Sequence, residues 1–339
     1  MGKEIIKVGI VGVSGYSGRE LLRLLLNHPN AEVIYVSANT TAGPVADIWP
    51  EFAGKTELVC GPYDVNEAAQ AELVFLATPH TVSMKLAPEL LDRGTRVIDI
   101  SGDFRLSSPE EYAKWYKTDH HAAPHLLADA VYGLPEIYSD RIKDARLVAN
   151  PGCYPTASIL AVAPLLKLSI DSIHIDAKSG ISGAGIAHAK HLLDEMKDNF
   201  KAYRILTHQH SPEIVEQIGL LAGRPLPVAF VPHLLPLERG IFATVYVSLR
   251  EALAQPDVQR LFEGFYEGAS FVEVVPADTE VELKTVVGTN NMQIHVAADP
   301  AQKLLVITVT IDNLLKGAAG QAVQNFNLIY GFDETTGLK

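Results

Sequence analysis

Near its start the chain runs Ile5-Ile6-Lys7-Val8-Gly9-Ile10-Val11, then Gly12-Val13-Ser14-Gly15-Tyr16-Ser17-Gly18, then a Leu-dense stretch from Arg19 to Asn27. An apolar run, a G-x-x-G-x-x-G loop and a helix, in that order, restrict the fold more than any other stretch. They predict the opening βα unit of a Rossmann-type, doubly wound parallel sheet, an α/β fold. Glycines at such a turn let the backbone fold tightly and approach a pyrophosphate. The helix N-terminus adds unpaired N–H groups and the positive end of its dipole. The pattern also occurs in structural βα turns that hold no ligand. On the ligand reading, Gly12, Ser14, Gly15, Tyr16, Ser17 and Gly18 line a dinucleotide.

The alternation continues. The strand Glu32–Val36 ends at Ser37-Ala38-Asn39-Thr40, without the Asp or Glu that an NAD site places on the ribose 2′-hydroxyl. Ser37 and Thr40, with Arg19 near, suit a 2′-phosphate instead, which favours NADP. Leu73–Ala77 reads as a strand ending at Thr78-Pro79-His80, Val82–Leu91 as a helix, and Arg96–Ile100 as a strand ending at Ser101-Gly102-Asp103-Phe104-Arg105. Ligands of open parallel sheets bind beyond the carboxyl ends of the strands. Thr78, Pro79, His80 and Ser101 are therefore placed to line the cofactor. Arg105 suits either an anionic substrate group or a surface ion pair. Residues 106–146 give no clear periodicity. Their histidines, His120, His121 and His125, have irregular spacing and no Cys nearby, so a solvated loop is expected rather than a metal site.

A second constellation lies at Asn150-Pro151-Gly152-Cys153-Tyr154-Pro155-Thr156. Leu147-Val148-Ala149 leads in as a buried strand, Asn-Pro-Gly turns, and Ala157–Ala163 follows as an apolar helix with a breaker at Pro164. Cys153 thus falls at a helix N-terminus. A free thiol with pKa about 8.5 is only slightly ionised near neutrality, and this setting stabilises the thiolate. A lone Cys in a turn is otherwise an ordinary buried residue. Downstream, Ser211-Pro212-Glu213 opens a helix, with Ser211 as N-cap and Pro212 at N1, so His210 is expected just outside it, exposed at a joint. An imidazole there suits acid/base work beside a thiol. His208-Gln209-His210 also has metal-ligand spacing, but a third ligand is missing.

Beyond Cys153 the chain changes character. Ile173–Lys178 alternates as a strand, and Ser179-Gly180-Ile181-Ser182-Gly183-Ala184-Gly185 forms a second glycine-rich loop before a helix near 187–196. That loop suits closure over a nicotinamide or substrate, an anion nest, or a plain connection. Val228–Val247 reads as two strands around a Pro-punctuated loop, and further strands fall at Phe271–Val275, Asn291–Ala297 and Lys303–Ile311. Such a run predicts an α+β catalytic domain with a mostly antiparallel sheet. Asp312–Leu328 is small-residue-rich and helical, its glycines suiting close approach to another backbone, the cofactor loop being the expected one. The expected domains are 1–150, completed by 312–339, and 151–311.

The chain has 339 residues, 47% hydrophobic and 20% charged, with a net charge of -12 and two cysteines. An acidic globular chain is a poor ligand for nucleic acid or anionic membrane. Two cysteines make no disulfide framework, and with no leader or long apolar run a cytoplasmic setting is expected.

Taken together, the glycine loop, Asp103-Phe104-Arg105-Leu106, the Asn150–Thr156 motif, Ser179–Gly185, His208-Gln209-His210-Ser211-Pro212-Glu213-Ile214, Pro232-His233, Arg239-Gly240 and Lys316-Gly317-Ala318-Ala319-Gly320-Gln321-Ala322 resemble the N-acetyl-gamma-glutamyl-phosphate reductases. The resemblance implies Cys153 as nucleophile and His210 as acid/base. It implies Arg105, Asn150, Ser179 and Arg239 on the substrate, and Ser182, Gly183, Asn313 and Lys316 beside the cofactor. Tyr203 lies near a supporting tyrosine position. NADP, no metal, an acyl phosphate substrate, a cytoplasmic setting and a homo-oligomer (dimer or tetramer) are also implied. Competing readings are an aspartate-semialdehyde dehydrogenase, a non-catalytic NADP sensor and a metal-dependent hydrolase.

Overall fold

The computed structural model describes residues 5–120, 124–186, 192 and 194–339. It divides into two compact units, Met1–Gly152 with Ala318–Lys339, and Cys153–Gly317. The segment 312–317, expected with the first unit, thus lies in the second.

The first unit contains strands β1 (Ile6–Val11), β2 (Ala31–Ser37), β3 (Gly43–Pro44), β4 (Val59–Cys60), β5 (Leu73–Leu76), β6 (Arg96–Asp99), β7 (Val131–Tyr132) and β8 (Leu147–Ala149). β3 and β4 form a small antiparallel ribbon. The other six form one sheet in the order β2-β1-β5-β6-β8-β7, parallel throughout. β5 is buried at every position, as expected for strands covered on both faces, whose sequences read as continuous apolar runs. Residues 106–146 hold more structure than their sequence suggested. Pro109–Tyr116 is a helix capped by the Ser108 hydroxyl, which accepts from Glu111 N at 3.1 Å, with Pro109 in the first turn. His120 is buried, its Nε2 2.8 Å from the Asp103 carbonyl oxygen, so it is a core residue rather than part of a solvated loop. His125 is exposed, and His121 lies outside the described residues.

The C-terminal segment turns through a π-helical stretch at Leu315–Ala319 and continues as the helix Gly320–Ile329. Phe326, fully buried, places its ring 6.1 Å from that of Phe75 on β5. Asn327 accepts a hydrogen bond from His28 Nε2 at 2.9 Å, while its amide donates to the carbonyls of Glu334 and Thr336. That one side chain ties the last residues to the start of β2.

The second unit is built on β9 (Ile170–Ser179), β10 (Lys201–Ala202), β11 (Val228–Leu234), β12 (Ile241–Leu249), β13 (Val272–Val274), β14 (Met292–Asp299) and β15 (Leu304–Ile311), in the order β10-β11-β9-β12-β15-β14-β13. β9 pairs parallel with β11 and β13 pairs parallel with β14, while the remaining pairings are antiparallel. The sheet is therefore mixed. β12 alternates strictly, burying Ile241, Ala243, Val245, Val247 and Leu249, the period-2 signature of a sheet with one covered face. The helices Cys153–Val162 and Gln255–Phe265 pack on the sheet, and every residue of the first from Tyr154 onward is buried. That full burial explains why the helix is apolar all round. The expected helix near 187–196 falls mostly outside the described residues.

Candidate active site

In the second unit, Cys153 is the first residue of the Cys153–Val162 helix and is half-buried. Cys60, by contrast, is buried, with Sγ 3.4 Å from the Thr41 carbonyl oxygen, and burial pushes its thiol up. Gly317 explains how tightly Cys153 is seated, since a Cβ there would stand 2.7 Å from Cys153 Cβ. At Gly317 the close approach expected of the C-terminal glycines is made to the thiol residue.

His210 is not exposed outside its helix. It is the first residue of His210–Ala222 and is 9% exposed. The helix begins two residues earlier than Ser-Pro-Glu suggests, and Gln209, not Ser211, precedes it. His208 lies beside it, ring centroids 4.8 Å apart. His208 Nδ1 accepts from the His210 backbone N–H at 3.1 Å, so a neutral His208 carries its proton on Nε2, 3.5 Å from the Tyr203 hydroxyl. The Tyr203 and Tyr154 hydroxyls are 3.3 Å apart, and Tyr154 donates to the His233 carbonyl at 3.2 Å. Tyr154 also meets His208 and His210 edge-on, at 5.6 and 6.0 Å. Because Tyr154 follows Cys153 directly, these contacts bring both histidines to the start of the thiol helix. Burial, then its hydrogen-bonded tyrosine neighbour, then the charge of a Cys153 thiolate hold Tyr154 well above its ordinary value. Burial and the same thiolate push Tyr203 up to about 12. Both phenols are therefore hydrogen-bond donors at any working pH. Tyr203 had no fixed register in the sequence, and its place follows from β10 pairing with β11.

Further side chains gather in the same unit. The Asn313 side chain accepts from Gly240 N at 2.6 Å and donates to Ser182 Oγ at 3.0 Å. Gly180 packs against the Arg239 backbone so closely that a Cβ would meet Arg239 N at 2.7 Å. The loops 179–183 and 237–240 are thereby held together, with Ser179 (Oγ to the Gly180 carbonyl, 2.9 Å), Ser182, Gly183 and Arg239 on them. Arg239 pairs with the fully buried Asp312 at 3.1 Å, and that carboxylate also accepts from the backbone N–H groups of Gly288, Leu314 and Leu315. Lys316 is wholly buried, its ammonium 5.7 Å from the Phe271 ring centre.

The first unit carries the glycine loop. Gly12 has φ +96°, and a Cβ there would stand 2.3 Å from the Ala77 carbonyl oxygen; a Cβ at Gly18 would stand 2.2 Å from the Gly12 carbonyl oxygen. Only glycine fits either place. At Gly15 a Cβ would meet only the Gly12 oxygen, at 3.6 Å, so the space over the loop is open. The helix starts at Tyr16, which leaves the N–H groups of Tyr16, Ser17 and Gly18 in its first turn without intrahelical acceptors. These features fit a pyrophosphate. Ser37 is fully buried, and its carbonyl receives Gly12 N and Val13 N at 2.7 and 3.1 Å, so it anchors the loop through its backbone. Arg19 lies over the Trp49 ring and pairs with Glu51, while Trp49 Nε1 donates to the Val13 carbonyl at 2.9 Å. Thr78, Pro79 and His80 follow β5, next to the loop through the Gly12–Ala77 contact. Arg105 is not at the surface. It is 6% exposed, and it donates to the carbonyls of Asn150 (Nε, 2.8 Å) and Ile100 (Nη2, 2.6 Å). Asn150, fully buried, donates to the Ala318 carbonyl and accepts from Asn325. Among the described residues no group of three or more His, Cys, Asp or Glu side chains has metal-site geometry, and no helix is long and apolar enough to cross a membrane.

A parallel dinucleotide sheet followed by a mixed-sheet unit that opens on a helix-terminal thiol is the layout of the semialdehyde dehydrogenases. The family model "Semialdehyde dehydrogenase, NAD binding domain" matches residues 7–145, and "Semialdehyde dehydrogenase, dimerisation domain" matches residues 153–313. An aspartate semialdehyde dehydrogenase II from Vibrio cholerae superposes with a TM-score of 0.74 at 17% identity, over 97% of this chain and 99% of that one. Among curated proteins, the N-acetyl-gamma-glutamyl-phosphate reductase of Acinetobacter baumannii (strain SDF) is 46% identical over 99% of this chain and 98% of the relative. That of Pseudomonas syringae pv. syringae (strain B728a) is 47% identical over 98% of each. The chain belongs to the N-acetyl-gamma-glutamyl-phosphate reductase family.

Proposed function

We propose that this chain reduces N-acetyl-gamma-glutamyl phosphate to N-acetyl-glutamate semialdehyde and phosphate, with NADPH, in arginine biosynthesis. The observation that carries the reading is the thiol of Cys153 at a helix start with His208, His210 and two phenols gathered beside it. The Cys153 thiolate attacks the acyl carbon, phosphate leaves, and a thioester remains. N–H groups at the start of the thiol helix stabilise the oxyanion of the tetrahedral adduct. His210 protonates that oxygen, and in product release it takes the proton back as the aldehyde leaves sulfur. Tyr203 and His208 keep the His210 main chain and ring in place. Gly12, Ser14, Gly15, Tyr16, Ser17 and Gly18, with Thr78, Pro79 and His80, would hold the dinucleotide, which supplies the hydride when bound. Ser182, Gly183, Asn313 and Lys316 belong with the cofactor, and Arg105, Asn150, Ser179 and Arg239 with the substrate, on the family resemblance. The preference for the 2′-phosphate rests on the missing acid after β2 and on Arg19 and Thr40. A dimer or tetramer fits the matched dimerisation model, and a cytoplasmic setting fits two unlinked thiols.

The test is phosphate-dependent reduction of NADP⁺ with N-acetyl-glutamate semialdehyde, run beside aspartate semialdehyde and beside NAD⁺. Turnover with the first aldehyde alone is expected. Turnover with aspartate semialdehyde alone would keep the chemistry and replace the substrate. Turnover with neither, with Cys153 alkylating no faster than Cys60, would leave a nucleotide sensor.

A further inference from the structure

Two carboxylates lie wholly buried behind the Thr78–His80 turn, and the reaction uses neither. Asp99 accepts from Ser101 N at 3.0 Å and Ser101 Oγ at 2.9 Å. Asp103 accepts from Thr81 N at 2.7 Å, from Tyr112 Oη at 2.7 Å and from Met84 N at 2.9 Å. Burial and the charge of Asp103 push Asp99 up. What Asp103 grips is unusual. Thr81 has φ +74°, a left-handed conformation that a β-branched residue adopts only at a cost and keeps only where its surroundings enforce it. The helix Ser83–Asp92 has no side-chain cap of its own. Asp103, from a different loop, supplies one to Met84 N. The neighbouring backbone completes the grip, with Gly102 N donating to His80 Nδ1 at 2.9 Å and the His80 ring lying edge-on to Tyr116 at 4.9 Å.

We propose that Asp103 is a positioning residue for the cofactor. Its carboxylate clamps Thr81 and the start of the Ser83–Asp92 helix, and so presents Thr78, Pro79 and His80 in one conformation before any dinucleotide arrives. The inference rests on the reading that this turn lines the dinucleotide, which the contact of Gly12 with Ala77 supports. A carboxylate serves both N–H groups and the phenol because all its lone pairs accept, whereas an amide offers one oxygen and a misplaced NH₂. Releasing the turn lowers the fraction of protein competent to bind, and apparent affinity falls by that fraction.

The experiment is direct titration of NADP⁺ by tryptophan fluorescence, with KM for NADPH and kcat measured alongside. Asp103→Asn should weaken NADP⁺ binding and raise that KM about ten-fold, with kcat within about two-fold of the parent. Adding Thr81→Gly should recover most of the lost affinity, because glycine takes φ +74° without a clamp. Asp64→Ala, which uncaps a short helix elsewhere in the unit, controls for lost stability and should leave both constants alone. Unchanged affinity in Asp103→Asn, or a loss that Thr81→Gly does not repair, would overturn the proposal. Amide exchange on the unaltered protein serves where a variant does not fold. The Thr81 and Met84 N–H groups should be protected without nucleotide, and protection that appears only with NADP⁺ would overturn it. Thr78→Ala and His80→Ala test the underlying reading separately. If neither alters NADP⁺ binding, the turn is not part of the cofactor site, whatever Asp103 does.

Discussion

A thiol that attacks an acyl carbon has to be ionised, open to substrate and next to a proton carrier. In the proposed reaction that part falls to Cys153, and serine cannot copy it, because a hydroxyl is far less ionised than a thiol. Cys153→Ser should therefore lose turnover by at least about 10³-fold while still binding NADP⁺, and His210→Asn should lose roughly 10²–10⁴-fold, both read from steady-state rates on protein with a normal melting curve. Gly317 supplies a subtler test. An alanine methyl would stand 2.7 Å from Cys153 Cβ, and one of the two backbones must yield. Overpacking of this kind costs about 1–3 kcal/mol. Gly317→Ala should lower Tm and slow Cys153 alkylation together, whereas a normal labelling rate would mean that the thiol does not feel the shift. The thiol was legible because its turn, helix start and Pro155 are all within a few residues. The burial of His210 was not, since it depends on Tyr154, which is far away in the chain. Nor could the sequence indicate that Arg105 donates to the carbonyls of Ile100 and Asn150.

At the scale of elements, His28, between the helix Tyr16–Leu26 and β2, hydrogen-bonds to the C-terminal segment, on which that helix also packs directly. His28 Nδ1 accepts from Asn30 N at 3.1 Å while Nε2 donates to Asn327, so the ring is fully engaged only when neutral. Burial lowers its pKa below 6.5, against the opposing pull of Asn327 and the Thr336 backbone. The folded state thus binds this proton less readily than the unfolded chain. The stability it protects is present above pH about 6.5 and is lost as pH falls through and below that value. Tm should drop between pH 7.5 and 5.5, and His28→Gln should narrow the drop. An equal drop in the variant would assign the acid sensitivity elsewhere. The strands were the most legible elements, β12 and β15 above all, because alternation is a local pattern. Sheet order was not, for β9 inserts between β11 and β12, and no periodicity encodes a neighbour. Residues 106–146 hid their helices because each is short and amphipathic patterns need length to show.

At the scale of the whole molecule, the two units have separate cores, and damage to one should be readable apart from the other. Phe326→Ala empties a fully buried site against Phe75 and should cost about 3–5 kcal/mol. Hydrogen exchange should rise in β1, β5 and β6 and weaken NADP⁺ binding, while amides of β9, β12 and β15 keep their protection. A uniform rise would show that the units unfold as one. The overall plan was legible from the glycine loop and the change of pattern after Cys153. The division at Gly317 was not, because the chain passes from one core to the other inside a continuous run of small residues.

That passage sets an order of events in synthesis. Residues up to Gly152 leave the ribosome first, yet the helix that covers β5 is made only after all of Cys153–Gly317. At 5–20 residues per second the interval is on the order of ten seconds or more. During it the nascent nucleotide sheet has a bare apolar face, and by its end the thiol unit has all of its own strands. The half of the protein that is translated first is therefore the half that matures last, and it is the one for which a chaperone has time to matter.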